Sequence, residues 1–449
     1  MTLDKEFYKK MGTIAIPVVL QNLLVNSLTF VDTLMIGQLG SDAIAAVGLA
    51  NQISFLINLF YFGTCTGASI FIAQFYGAKN DEGIQKVMGL GLETCVLGAV
   101  IFSVLSMGFP RTVMHIFTHD EAVVELGSSY LFYIGPGFLC LAFVQIHAVG
   151  LRTTGRADLP LKASIVSLFS DILLNYLLIF GKGPFPRLGV KGAAIATLAS
   201  RIIEMLVILF FIYPNKSLCA IKGTDAFRFP KPFLSKVIPT CIPVICNEFF
   251  WALGMSTYKI AFSRLGMDTI AAVNVNESIS NMFFTAMFGV ASSALIMIGQ
   301  KIGAQEYGKA QVYCRRFSLL AVLAGLLMGL LQAWLAPAFI GLFAVDASVA
   351  MMARYSLYVS SLLFPLRSYD TTLIVGILRS GGDTRFSMLN ELSAVWLIGI
   401  PMAFLGCVVL KLPIWYVYLL VGAEEVVKGA IGFLRIKSGK WLNDLSRSV

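Results

Sequence analysis

The sequence predicts an all-α integral membrane protein: twelve transmembrane helices in two parallel six-helix repeats. Composition is the first reason. Apolar residues make up 57% of the chain and charged residues 13%, with a mean hydropathy of +0.80, whereas a soluble domain carries roughly 25% charged residues. The second reason is internal repetition. Leu39 to Ser54 returns as Leu265 to Ser280 at a constant offset of 226, with nine of the sixteen positions identical. The offset holds out to Pro17 and Pro243 on one side and to Gly77 and Gly303 on the other, and the strings LRTTG and LRSGG, starting at Leu151 and Leu378, follow at offset 227. A unit of that length is a duplicated domain, too large for a solenoid repeat.

Runs of about twenty apolar residues, long enough to cross a bilayer, are read near 13–36, 45–74, 88–108, 128–149, 161–181 and 190–212 in the first repeat. The second repeat supplies 236–262, 271–300, 316–338, 352–378, 387–409 and 414–434. An even number per repeat makes both halves enter the membrane in the same orientation. The domains are therefore expected as 1–213, a cytoplasmic linker rich in Pro and Lys at 214–235, and 236–449. Pro17, Gln21 and Asn22 mark the first apolar run as a span and not a cleavable leader.

Orientation follows from the basic residues, which accumulate in short cytoplasmic loops. With the N-terminus inside, 24 of the 34 fall in inner segments, Lys216, Lys222, Arg379 and Lys428 among them, seven fall in outer loops, and Arg201, Lys259 and Arg367 lie within spans. Both termini are thus expected in the cytoplasm, with the protein in the cell's inner (plasma) membrane. This topology accounts for the net charge of +9, and no nucleic-acid partner is expected. The eight cysteines show no paired spacing for a metal site or a disulfide framework. Three histidines and no acid-rich loop string give no basis for an enzyme.

A carboxylate deep in a transmembrane helix costs at least about 2.5 kcal/mol and needs a partner or a purpose. Asp32 stands some twenty residues into the first span, and its repeat equivalent is Tyr258. Span five adds Asp171 and Asn175, an i,i+4 pair on one face, which with Asp32 could line a polar pocket. In the second repeat Asn247 and Glu248 stand where the first has Gln21 and Asn22, and Asp370 lies in span ten. Glu248 and Asp370 could close around Na⁺ or share a proton, because two like charges in low dielectric do not both stay ionised without a counter-ion. Arg367, three residues before Asp370, either pairs with it or faces a cavity. Arg201 and Glu204, at i,i+3 in span six, are expected to neutralise each other, and His147 to be a satisfied helix residue.

VDTLMIGQLG in span one, AQFYGAK after span two and NYLLIFG with LGVKGAAIAT across spans five and six occur in this order, followed by IPVICNEFFWALG, IGQKIGA and VGILRSGGDTRFS. Together these strings resemble a bacterial branch of the multidrug and toxic compound extrusion (MATE) transporters. The resemblance implies a V-shaped pair of six-helix lobes around a central cavity, and export of organic cations and other amphipathic compounds in exchange for H⁺ or Na⁺. It assigns Asp32 to proton or cation coupling, and Glu248 and Asp370 to a cation site of the NorM-type branch. Two departures leave the ion open. Leu366 stands where that branch offers an aromatic, beside the added Arg367, and Asp171, Asn175 and Tyr176 replace the Asn-x-x-x-Asp-Pro of DinF-type relatives.

The expected mechanism is alternating access by a monomer acting on a small molecule within membrane lipid, with no cofactor beyond the coupling ion. The alternative is a flippase of the same superfamily moving a lipid-linked precursor. Such proteins often have fourteen spans and a basic cavity, against twelve spans and one strong cavity cation here, Arg367.

Overall fold

Spans two and eight, Ser41–Gly77 and Met267–Gly303, each run 37 residues without interruption. At 1.5 Å per residue such a helix is about 55 Å long, well beyond the roughly 30 Å hydrocarbon core, so both project past it. The same turn chemistry frames them. Each follows a glycine at positive φ, Gly40 (112°) or Gly266 (107°), and each ends at a residue in the left-handed region, Lys79 (57°) or Gln305 (61°). Beyond those residues, Asn80 N–H donates to the Phe75 carbonyl and Glu306 N–H to the Lys301 carbonyl, both at 2.9 Å. These bonds close the six-residue C-cap that stops a helix and satisfies its last carbonyls.

The computed structural model describes residues 2–214, 217–221, 223–343 and 345–447; Lys216 and Lys222 of the expected linker lie outside them. Every regular element among the described residues is a helix. Ten are long and apolar enough to cross a membrane: Lys5–Gly37, Ser41–Gly77, Asp81–Gly108, Asp158–Phe180, Val190–Ile212, Lys231–Ser263, Met267–Gly303, Tyr307–Ile340, Ala347–Leu378 and Thr384–Val409. Span four is the pair Glu121–Ile134 and Gly137–Thr153, bent by 50°. The twelfth, Ile414–Val421 with Ala423–Lys437, breaks at Gly422 and carries Glu424, Glu425 and Lys428. Spans ten and eleven contain π-helical turns at Thr372–Leu378, Val395–Gly399 and Leu405–Val409, a distortion frequent at functional sites.

The chain divides into two compact units: Leu20–Ile72 with Asp81–Lys231, and Met1–Val19, Ala73–Asn80 and Pro232–Val449. Small residues let backbones approach closely in the second. A Cβ on Gly77 would collide with the Gln300 carbonyl, and one on Gly303 with the Gln74 carbonyl, so these repeat-equivalent glycines make reciprocal contacts. Gln74 is fully buried. Its amide nitrogen donates to the carbonyls of Ser380 (2.8 Å) and Asn443 (3.1 Å), and its oxygen accepts from Leu445 N–H (2.6 Å). The segment after span twelve is thereby tied down, with Trp441 buried. Phe7 packs its ring 4.9 Å from Tyr313 and 5.0 Å from Phe317. In the first unit the linker packs on span three: Gln85 donates to the Leu218 carbonyl, and a Cβ on Gly89 would strike the Ala226 carbonyl.

Candidate ion-coupling sites

Within the first unit, spans one and five bring Asp32 and Asp171 to one amide. Asn175 Nδ2 donates to Asp32 Oδ1 at 2.8 Å and to Asp171 Oδ2 at 2.7 Å. The i,i+4 spacing aims Asn175 and Asp171 together, and span one delivers Asp32 from the other side. Ser200 of span six donates to the second oxygen of Asp171 at 2.8 Å. Asp171, Asn175 and Ser200 are buried, whereas Asp32 is partly exposed.

One turn along span six, Arg201 pairs with Glu204 at 3.1 Å, as its spacing suggested. Glu204 also accepts from the Ser164 hydroxyl at 2.8 Å, and Gln21 donates to Ser164 at 2.9 Å. Three carboxylates, Asp32, Asp171 and Glu204, therefore face a single guanidinium. With Glu204 neutralised by Arg201, the donors to the Asp32–Asp171 pair among the described residues, Asn175 and Ser200, are neutral. In a low-dielectric site a pair of carboxylates needs a positive charge between them, which a proton, Na⁺ or a cationic substrate would supply.

The second unit repeats this frame with different chemistry. Gln21 and Ser164 correspond to Asn247 and Glu391, and Asn247 donates to Glu391 at 2.7 Å, so the contact is kept while a hydroxyl becomes a carboxylate. Arg201 corresponds to Lys428 at offset 227. Lys428 is buried and pairs with Glu425 at 2.9 Å. Tyr258, in the place of Asp32, donates its hydroxyl to Glu424. That contact fits beneath the π-helical turn of span eleven, where a Cβ on Gly399 would strike both the Tyr258 hydroxyl and the Glu424 carboxylate.

Glu248 and Asp370, which on the sequence could close around Na⁺ or share a proton, have different surroundings. Glu248 accepts from Arg379 at 2.8 Å, and Arg379 is 1% exposed. The reading of Arg379 as an inner-surface cation is thereby corrected: it turns back under span ten to a carboxylate of span seven. Lys428 is corrected in the same way, from an inner-segment charge to a buried member of span twelve. Arg367 does not take Asp370. Its Nε lies 3.5 Å from Glu425 Oε1. Asp370 is 2% exposed, and among the described residues no donor reaches either of its carboxylate oxygens. Its neighbours are Glu425, Lys428 and Glu391.

Sequence reasoning missed Arg379 and Lys428 as members of these clusters. Glu425 and Lys428 stand at i,i+3 within span twelve, which was the available signal. His147, expected to be satisfied, is so on one side: its Nδ1 lies 2.7 Å from the Phe143 carbonyl and its ring stacks on Phe143, while no partner among the described residues reaches its buried Nε2. Lys259 pairs with Glu277 at 2.8 Å. No group of three or more His, Cys, Asp or Glu side chains among the described residues is arranged to hold a metal ion.

The MatE family model matches residues 17–177 and 243–405, one match in each repeat. The chain belongs to the MATE family of membrane transporters. A probable multidrug resistance protein NorM of Thermotoga maritima is 22% identical over 97% of this chain and 93% of the relative. A probable multidrug resistance protein YoeA of Bacillus subtilis is 27% identical over 88% and 86%. Among solved structures, an outward-facing multidrug resistance MATE transporter of the MOP superfamily matches with a TM-score of 0.86 at 19% identity, covering 96% of both chains. A MOP superfamily transporter from Pyrococcus furiosus, described as having a binding pocket of reversed polarity, matches equally at 0.86 and 19%, over 96% of this chain and 95% of that one. The MATE fold of twelve helices in two repeats is thus shared along nearly the whole chain.

Proposed function

We propose that this transporter is a secondary antiporter that expels organic cations and drug-like amphipathic compounds in exchange for H⁺ or Na⁺. The observation that carries the reading is the pair Asp32 and Asp171 joined by Asn175, with no ion pair of its own among the described residues. Uptake of the coupling ion at Asp32, followed by transfer toward Asp171, cancels the charge that attracts a cationic substrate and so releases it. Departure of the ion on the other side restores that charge. A ligand shifts such an equilibrium only through its differential affinity for the two states, and competition for the two carboxylates supplies the difference.

The names of the NorM and YoeA relatives support multidrug export. The distribution of basic residues supports a plasma-membrane protein with both termini in the cytoplasm. In the second repeat Glu248 is neutralised by Arg379 and Glu425 is held by Lys428 and Arg367, which leaves Asp370 as the carboxylate available for a second ion. The two six-helix repeats act as the moving bodies, and the monomer suffices for the cycle.

The experiment is efflux of a fluorescent organic cation from proteoliposomes under a pH gradient and under a Na⁺ gradient, each imposed alone. Acceleration by one gradient supports the reading and names the ion. Indifference to both, with transport of a lipid-linked saccharide instead, would favour a flippase.

A further inference from the structure

Spans nine, ten and twelve leave a groove of about 880 Å³ within the second unit. One end holds Arg315, Lys437 and Trp441; the walls include Val322, Leu366 and Phe433, and Glu425 lies at the far end. From Lys437 to Glu425 the groove follows span twelve for twelve residues, about 18 Å of helix. That is about half the thickness of the hydrocarbon core, the depth of a single leaflet.

Polarity is divided along this length. Arg315 and Lys437 are exposed, and neither is in an ion pair among the described residues. Val322, Phe433 and Val426 are exposed apolar side chains. Glu425, the carboxylate of the lining, is buried and already bonded to Lys428. The open charge is therefore positive and confined to one end, with an apolar trough leading away from it. A cationic solute would meet two like charges at that end. A zwitterionic headgroup would gain little there, because its own cation offsets its phosphate.

We infer that this groove is a binding site for an anionic phospholipid, its phosphate held by Arg315 and Lys437 and one acyl chain lying along Val322, Leu366 and Phe433. Trp441, buried at the same end, forms the floor beneath the headgroup. The basic end belongs to the helix ends where cytoplasmic cations accumulate, and anionic lipid of the inner leaflet is attracted to such residues. The headgroup end is separate from the coupling reaction, since neither Arg315 nor Lys437 belongs to the Asp32 or Asp370 clusters; only Glu425, at the far end of the groove, is shared with the latter.

The full-length protein, reconstituted in vesicles of equal parts phosphatidylglycerol and phosphatidylethanolamine, is extracted in mild detergent and its retained lipid measured by mass spectrometry. Phosphatidylglycerol is expected to be retained up to about thirtyfold over phosphatidylethanolamine, the preference that two basic groups at a membrane surface provide. Arg315→Gln combined with Lys437→Gln should erase that preference. Ala430→Trp, which fills the trough without changing charge, should remove both lipids. Equal retention of the two lipids by the native protein would overturn the site, as would an unchanged preference in the doubly substituted protein or undiminished lipid in Ala430→Trp. Monodispersity on size exclusion checks each variant's fold, and if one fails to fold the other decides.

Discussion

Asp32 and Asp171 share one hydrogen-bond donor, the Asn175 amide nitrogen, at 2.8 and 2.7 Å. The amide is neutral, so it orients the two carboxylates without cancelling their charge. Asp171→Asn should therefore abolish coupled transport while leaving thermal stability equal or higher, because it removes a buried charge that lacks a cation. Asn175→Ala should also cut transport by at least about tenfold, but with a loss of about 1–3 kcal/mol from acceptors left without a donor. Thermal unfolding in detergent, measured beside transport, separates the two. A stability loss in Asp171→Asn as large as in Asn175→Ala would refute the distinction.

The buried pair of Glu248 and Arg379 behaves differently. Removing one member strands the other, at a cost of about 3–5 kcal/mol. Glu248→Gln and Arg379→Gln should each lower stability by that order, whereas the double substitution should recover most of the loss. A double-mutant cycle on denaturation midpoints reads the coupling directly, and additive losses would contradict the pairing.

Gly77 and Gly303 hold the ends of spans two and eight together only because neither has a side chain. Gly303→Val should force the Gln74 and Gln300 backbones apart. Spin labels at Ala78 and Gln305 should then report a longer distance by double electron–electron resonance, with transport reduced. An unchanged distance would mean that the contact yields locally.

Outside the membrane, Glu306 lies between Lys301 (2.6 Å) and Lys309 (2.8 Å). Hydrogen bonds from those two ammonium groups draw its carboxyl down from 4.5 to about 2. A depressed carboxyl contributes stability above its unfolded value of 4.5 and loses it as the pH falls through about 2. Because the site is solvent-exposed, the contribution is held to under about 1 kcal/mol. Glu306→Gln should accordingly lower the melting temperature slightly at pH 7, and the difference from the native protein should shrink as the pH is taken from 4.5 towards 2.

Span chemistry made the fold legible in the sequence, since the repeat and the apolar runs reveal both the helices and their kinship. The first-repeat site was legible in part: the i,i+4 spacing of Asp171 and Asn175 pointed to one face, and Asp32 was an acid with no equivalent in the second half. What joined them was the packing of spans one and five, which no local spacing records. Arg379 shows the limit most clearly. The string LRSGGDT reads as a turn and does form one, with Gly382 at positive φ. Yet the segment around Trp441 covers that turn, so Arg379 is shut away from water and must find Glu248. The relation of Asn247–Glu391 to Gln21–Ser164 was likewise visible only once the two contacts could be compared.

The central claim is that the coupling ion and a cationic substrate compete for the Asp32–Asp171 pair. Its most direct test is exchange in proteoliposomes by Asp32→Asn, with a fluorescent organic cation inside and an inward gradient of whichever ion, H⁺ or Na⁺, drives the native protein. The variant should fold normally, and its efflux should no longer respond to the gradient. Gradient-driven efflux at the native rate in Asp32→Asn would contradict the account.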